Sequence, residues 1–210
     1  GVWQSQVNQY DAFYEPGDSD VIGKIPEDLN GVYLRNTETA LFEPIKRYHP
    51  FDGDALMHSI SFENGSARYS NRFIETDGFL AEQQAKQSLW AGITEHPSNA
   101  VADHGWGART MMKDNASTDV VVHGGKAFAS FYQCGELYSF DPRTLEPRGK
   151  ATWDGRFPTE GVSAHCKVDE HTGELLFFNY HQHAPYMNYG VVDRTGAVTN
   201  YTEIPLPGPR

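Results

Sequence analysis

SAHCKVDEHTGELLFF, residues Ser163–Phe178, joins two strand-like runs through a polar turn. The turn begins at Asp169 and ends at Gly173, and both residue types favour the tight backbone of a β-hairpin. His165 is therefore predicted to lie on the strand that enters this hairpin, two residues before Lys167. Regular backbone holds a side chain rigidly, which a metal ligand requires. The stretch predicts antiparallel β-structure and marks His165 as a candidate ligand.

The same arrangement of strand, aspartate, short turn and strand occurs several times in the chain. Its aspartates, spaced 28 and 24 residues apart, are Asp141, Asp169 and Asp193. A further hairpin signal, Asn64-Gly65, separates the strand-like runs 55–62 and 67–75. Successive hairpins of this length form the meanders of β-propeller blades, and a β-sandwich would give similar punctuation. We predict an all-β fold whose best helix candidate is Phe79–Trp90.

Composition excludes some classes of function. With 210 residues and 13% aromatic side chains, the chain is long and apolar enough to form a folded core. Its net charge of -11 argues against a nucleic-acid partner, because phosphate binding needs a basic surface. No apolar run approaches the roughly 20 residues that span a bilayer, and the sequence shows no signal-peptide pattern, although peripheral membrane contact through an apolar patch stays open. Two cysteines make no disulfide framework, so we expect a reducing, cytoplasmic environment.

Four blocks, taken in order, carry a family resemblance. They are Leu29–Asn36, His49–His58, Asp119–Lys126 and Ser163–Leu175. Together they resemble the carotenoid cleavage oxygenase family, and the resemblance runs from Ile25 to Arg210. It implies a seven-bladed β-propeller, of which residues 25–210 would be the N-terminal part and residues 1–24 an N-terminal arm. The expected fold is thus a partial propeller made of antiparallel meanders.

The resemblance also implies a cofactor, iron(II) held by four histidines from four blades. His165 matches the first of these ligands. The other three have no counterpart before Arg210, so we expect the chain to stop short of a complete active site and, on its own, to be inactive. His181 and His183 match no family ligand, and are interpreted as polar residues of a hairpin connection.

Two further positions differ from the usual family pattern. Gln133 stands where the family has a glutamate that accepts a hydrogen bond from an iron-bound histidine. Tyr132 stands where relatives that cleave hydroxystilbenes carry a lysine that binds the phenol. Both residues are predicted to lie on the strand 129–133. An amide oxygen still accepts a hydrogen bond, so Gln133 is expected to orient the imidazole without increasing its basicity as a carboxylate would.

The function that the resemblance implies is oxidative cleavage of an alkene. An iron(II) dioxygenase of this kind uses dioxygen and an apolar small molecule, and yields two carbonyl products. Tyr132 favours a carotenoid or apocarotenoid over a phenolic stilbene. Two alternatives stay open: a stilbene-cleaving enzyme of the same family, and a non-catalytic propeller fragment that binds an apolar ligand or a protein.

Overall fold

The computed structural model describes the backbone of Phe13–Tyr14 and residues 21–102 and 112–209. Strands dominate this part of the chain. They are β1 (Phe13–Tyr14), β2 (Gly31–Thr39), β3 (Asp54–Glu63), β4 (Ser66–Phe73), β5 (Asp119–His123), β6 (Lys126–Ser130), β7 (Tyr138–Phe140), β8 (Pro147–Lys150), β9 (Lys167–Val168), β10 (Leu175–Tyr180), β11 (Met187–Val192) and β12 (Val198–Glu203). The helical segments are α1 (Asp77–Ala85) and the 3-10 turns Pro50–Asp52, Pro97–Asn99 and Trp153–Gly155.

The strands form three four-stranded antiparallel sheets. Their orders are β1-β4-β3-β2, β5-β6-β7-β8 and β9-β10-β11-β12. The edge strands β2 and β5 lie side by side, and so do β5 and β9. The three sheets therefore meet along the edge strands β2, β5 and β9, as blades meet around a propeller axis. The predicted all-β, partial-propeller fold is confirmed, and β1, from the segment assigned to an N-terminal arm, pairs with β4 at the outer edge of the first blade.

The recurring aspartates close hairpins on their own backbone. In each case Oδ1 of Asp141, Asp169 or Asp193 accepts hydrogen bonds of 2.8–3.2 Å from backbone N–H groups two to four residues further along. The carboxylate thereby accepts hydrogen bonds from turn amides that have no partner in the β-ladder. This local chemistry explains why the turns could be located from the sequence.

The core lies between neighbouring blades. Strand β6 shows how one strand serves two interfaces, because successive side chains of a strand point to opposite faces. Ala127 and Ala129 pack towards the first blade with Met57. Phe128 packs on the other face, towards the third blade, with Phe177. Both cysteines, Cys134 and Cys166, are buried, and no disulfide joins them.

The helix begins and ends earlier than the sequence pattern indicated. We expected Phe79–Trp90, whereas α1 covers Asp77–Ala85. Thr76 caps its first turn, with Oγ1 accepting a hydrogen bond of 3.0 Å from the Phe79 amide. Lys86 then adopts a left-handed backbone, at φ 57°, which ends the helix.

No helix in the described part of the chain is long and apolar enough to cross a membrane.

Candidate functional site

His165 lies in a bulge rather than on the predicted strand. Strand β9 begins only at Lys167, which pairs with Leu176 of β10. Continued in that register, His165 would face Phe178, but the Phe178 carbonyl instead accepts a hydrogen bond of 3.0 Å from the Ser163 amide. Between the Lys167–Leu176 pair and the Ser163–Phe178 hydrogen bond, the segment before β9 therefore contains two more residues than a regular ladder would. Bulges bend a strand and redirect a side chain, which is why the alternation of the sequence did not place His165 correctly.

The residues around His165 are held firmly while its ring projects outwards. Ser163, Ala164 and Cys166 are buried, whereas 65% of the His165 side chain is exposed. The Ala164 amide donates a hydrogen bond of 2.8 Å to the carbonyl of Phe131 in the second blade. The backbone of His165 itself has φ 71°, a left-handed value that is uncommon for a residue with a side chain. Such backbone persists only where its surroundings enforce it, and it clusters at functional sites.

A carboxylate contacts the ring of His165. Nδ1 lies 3.2 Å from Oδ2 of Asp119, the first residue of β5. Asp119 belongs to a block that carried the family resemblance, but sequence reasoning gave it no role. The two residues are 46 positions apart, so only the packing of two blades brings them together.

The imidazole of His165 is suited to supply one nitrogen ligand to an iron ion held by histidines. Among the described residues no hydrogen bond engages Nε2 of His165, so that nitrogen is available as a ligand. Burial raises the pKa of the neighbouring Cys166 thiol to about 12, and its Sγ contacts the Ser163 carbonyl at 3.6 Å. Within residues 21–102 and 112–209, no three His, Cys, Asp or Glu side chains cluster as metal ligands would.

Tyr132 and Gln133 follow β6 instead of belonging to it, because the strand ends at Ser130. Strand β7 pairs with β6 only as far as Ala129, and β5 pairs with it only as far as Ser130, so neither ladder reaches Tyr132. The Tyr132 carbonyl accepts a hydrogen bond of 2.7 Å from the Tyr180 hydroxyl, which fixes this segment to β10. The Phe131 carbonyl accepts the hydrogen bond of the Ala164 amide, which joins the second and third blades. Tyr132 and His165 are the residues that directly follow these two partners.

Aromatic and sulfur groups surround the Tyr132 side chain. Its hydroxyl donates a hydrogen bond to Sδ of Met112, at 3.6 Å. Its ring centroid lies 6.0 Å from that of Phe51. Burial, together with nearby Tyr180 and Asp52, raises the pKa of Tyr132, and a hydrogen bond from Gln133 opposes this rise. The phenol is therefore neutral near pH 7. No hydrogen bond in the described part of the chain joins Gln133 to a histidine, so its role towards iron stays a prediction.

Phe51 is positioned by a compact polar turn. Nδ1 of His49 accepts a hydrogen bond of 3.2 Å from the Phe51 amide. Oδ2 of Asp52 accepts one of 2.9 Å from the His49 amide, and its Oδ1 accepts one of 2.7 Å from the Ile93 amide. This turn places an exposed aromatic ring beside Tyr132. The resulting surface combines apolar rings with a neutral hydroxyl.

A buried ionic triad supports the segment that leads to Asp119. Nζ of Lys113 lies 2.7 Å from Oδ1 of Asp54 on β3 and 2.7 Å from Oε2 of Glu82 on α1. Burial alone would lower the pKa of Lys113, but the two carboxylates outweigh it and raise that pKa. The pKa of Asp54 is raised by burial and by Glu82, against the opposing effect of Lys113. One ammonium thus pairs with two carboxylates inside the protein.

His181 and His183 join no cluster of three metal-ligating side chains among the described residues. Nε2 of His181 lies 3.1 Å from Oδ1 of Asn188, in the connection between β10 and β11. His183 follows in the same connection and is exposed. These positions agree with their interpretation as polar residues of a hairpin.

Comparisons with known proteins place these features in context. A family model described as retinal pigment epithelial membrane protein matches residues 9–210. Isoeugenol monooxygenase of Pseudomonas nitroreducens is 36% identical over 194 residues, covering 90% of this chain and 39% of that protein. The chain therefore spans about two fifths of the length of this curated relative.

Solved structures agree with the fold. A lignostilbene dioxygenase of Pseudomonas brassicacearum superimposes with a TM-score of 0.80 at 24% identity, covering 96% of this chain and 41% of that one. A cobalt-substituted apocarotenoid oxygenase of Synechocystis gives a TM-score of 0.74 at 22% identity, covering 98% of this chain and 45% of that one. At these identities the likeness concerns the fold alone.

Proposed function

Because the chain belongs to the retinal pigment epithelial membrane protein family, which includes carotenoid- and stilbene-type cleavage dioxygenases, we propose that the whole protein is a non-haem iron(II) dioxygenase. It would cleave an alkene double bond with dioxygen and release two carbonyl products. The single observation that carries the proposal is His165, an exposed imidazole on an otherwise buried bulge, with Nδ1 beside a carboxylate and Nε2 available. A histidine held in this way is a typical metal ligand.

Within this proposal the residues of the chain have separate tasks. His165 would hold iron, and bound iron would supply the activation of dioxygen. Tyr132 and Phe51 would line the path of an apolar substrate, since their rings lie side by side and are partly exposed. Such a wall orients a substrate and excludes water from its double bond. Gln133 would accept a hydrogen bond from an iron-bound imidazole.

For the substrate, we favour a carotenoid or apocarotenoid. The neutral hydroxyl of Tyr132 presents no charge to a phenol, whereas the surrounding rings of Phe51 and Phe131 suit a long apolar chain. The second candidate is a phenyl-substituted alkene. Its support is the relative named for isoeugenol, which is 36% identical to this chain.

A substrate panel tests the proposal. The complete, iron-loaded protein is incubated in air with an apocarotenoid, a hydroxystilbene and isoeugenol, and the aldehyde products are quantified. We expect the apocarotenoid to be cleaved fastest. Cleavage of only the two phenolic alkenes would contradict the assignment of Tyr132, and no aldehyde from any of the three would contradict dioxygenase function.

Gln133 provides a graded test of the iron environment. We expect Gln133→Glu in the complete protein to keep iron, because a carboxylate is an equally good acceptor. Gln133→Leu removes the acceptor and should weaken iron binding about 10- to 100-fold, as the loss of an outer hydrogen bond to a ligand does. Competition with a chromogenic chelator under nitrogen measures the affinity. Equal iron affinity in Gln133→Leu and the wild type would show that Gln133 orients no ligand.

A further inference from the structure

The contact between Asp119 and His165 has a defined direction. A carboxylate only accepts hydrogen bonds, so at 3.2 Å the proton must lie on Nδ1 of the neutral imidazole. Nε2 then carries the lone pair. Of the two tautomers, this one leaves the outward nitrogen free to bind a metal.

Asp119 is held in place by contacts other than the one with the His165 ring. Its Oδ1 accepts a hydrogen bond of 2.8 Å from the Val120 amide, which leaves Oδ2 for His165. Its carbonyl accepts one of 3.2 Å from Nδ2 of Asn36, on β2 of the first blade. Asp119 also pairs with Ser130 in the β5–β6 ladder. The carboxylate is therefore anchored to the first and second blades, while the histidine belongs to the third.

The ring of His165 needs such a partner. The backbone has a left-handed φ, and the flanking hydrogen bonds of Ser163 and Ala164 fix that backbone but not the ring. With 65% of the side chain exposed, packing does little to select a rotamer. Among the described residues, the carboxylate of Asp119 is the group that engages the ring.

We propose that Asp119 is the positioning residue of His165: it holds the proton on Nδ1, fixes the ring across the interface of two blades, and aims Nε2 at the iron. This inference rests on the proposed function and adds to it a residue with no assigned role. A carboxylate that orients a ligating imidazole in this way strengthens metal binding.

The test compares three variants of the complete protein with the wild type. Asp119→Leu removes the acceptor, Asp119→Asn keeps an oxygen acceptor without the charge, and Asp28→Leu changes an exposed carboxylate elsewhere as the matched control. Cobalt(II) affinity is measured by competition with a chelator, and folding is checked by circular dichroism. We expect Asp119→Leu to weaken cobalt binding about 10- to 100-fold, Asp119→Asn to weaken it less, and Asp28→Leu to leave it unchanged.

A second readout detects positioning without any metal. Nitrogen-15 spectra of the histidine rings in the metal-free protein, assigned by comparison with His165→Gln, report which nitrogen carries the proton. We expect Nδ1–H in the wild type and a shift towards Nε2–H in Asp119→Leu. A wild-type ring protonated on Nε2, or wild-type cobalt affinity in Asp119→Leu, overturns the inference. Unchanged cobalt affinity in His165→Ala would instead overturn the proposed function, so the two failures are distinguishable.

Discussion

His165→Ala in the complete protein is expected to abolish detectable alkene cleavage and to lower iron content sharply, while the fold is retained. The ring is exposed and its neighbours are fixed by their own backbone hydrogen bonds, so its removal leaves no cavity in the core. Loss of one ligand from an open, histidine-bound site removes a metal–nitrogen bond that the other ligands do not replace. Aldehyde formation and iron content per protein measure the two effects.

A matched control separates this loss from general damage. His171→Ala removes another exposed imidazole, in the turn that follows β9, and should leave both measurements at wild-type level. Circular dichroism and thermal unfolding of both variants should resemble the wild type. If His165→Ala keeps wild-type cleavage, or if His171→Ala loses as much iron, the ligand assignment of His165 is wrong.

The second large effect concerns stability. Lys113→Met is expected to lower the free energy of unfolding by about 3–5 kcal/mol, because removal of one partner leaves buried charges without compensation. Both Asp54 and Glu82 lose their ammonium partner at 2.7 Å, and the side chains of all three are almost fully buried. Methionine fills a similar volume, so the effect reports the lost charge. Denaturant unfolding followed by fluorescence measures it.

Lys24→Met is the control for this substitution. Lys24 also pairs with a carboxylate, that of Glu27, at 2.9 Å, but both side chains are more than 70% exposed. Exposed ion pairs contribute only about 0–1 kcal/mol. A loss in Lys113→Met no larger than that in Lys24→Met would show that the triad contributes no more than a surface pair.

The triad also predicts a dependence on pH. The folded-state pKa of Lys113 is raised, so its stabilising contribution is complete below the ordinary pKa of lysine. That contribution is lost only as the pH rises through the folded-state value. The difference in unfolding free energy between the wild type and Lys113→Met should therefore persist at neutral pH and shrink in strongly alkaline solution, as Lys113 loses its proton.

Much of the fold was determined by local sequence. The turns at Asp141, Asp169 and Asp193 could be predicted because each carboxylate satisfies amides only two to four residues away. The end of α1 was misplaced, because its apolar pattern continues towards Trp90 while the backbone turns left-handed at Lys86. Periodicity records which residues prefer burial, and it does not record where a backbone leaves the helix.

The candidate site was determined only in part. The sequence marked His165, through its place in an ordered set of blocks, but put it on a strand. Only the tertiary structure shows the bulge, because the Phe178 carbonyl that forms it belongs to β10 and is taken by Ser163. A ladder position depends on which partner is available, and one strand does not contain that information.

The sequence by itself determined the local hairpins and the residue types that iron would need. Tertiary structure alone decided which groups meet: Asp119 with His165 across 46 residues, and Lys113 with Asp54 and Glu82 across 59 and 31. The physical reason is range. A hairpin turn is closed by hydrogen bonds between near neighbours, whereas these contacts exist only after distant parts of the chain have packed against one another.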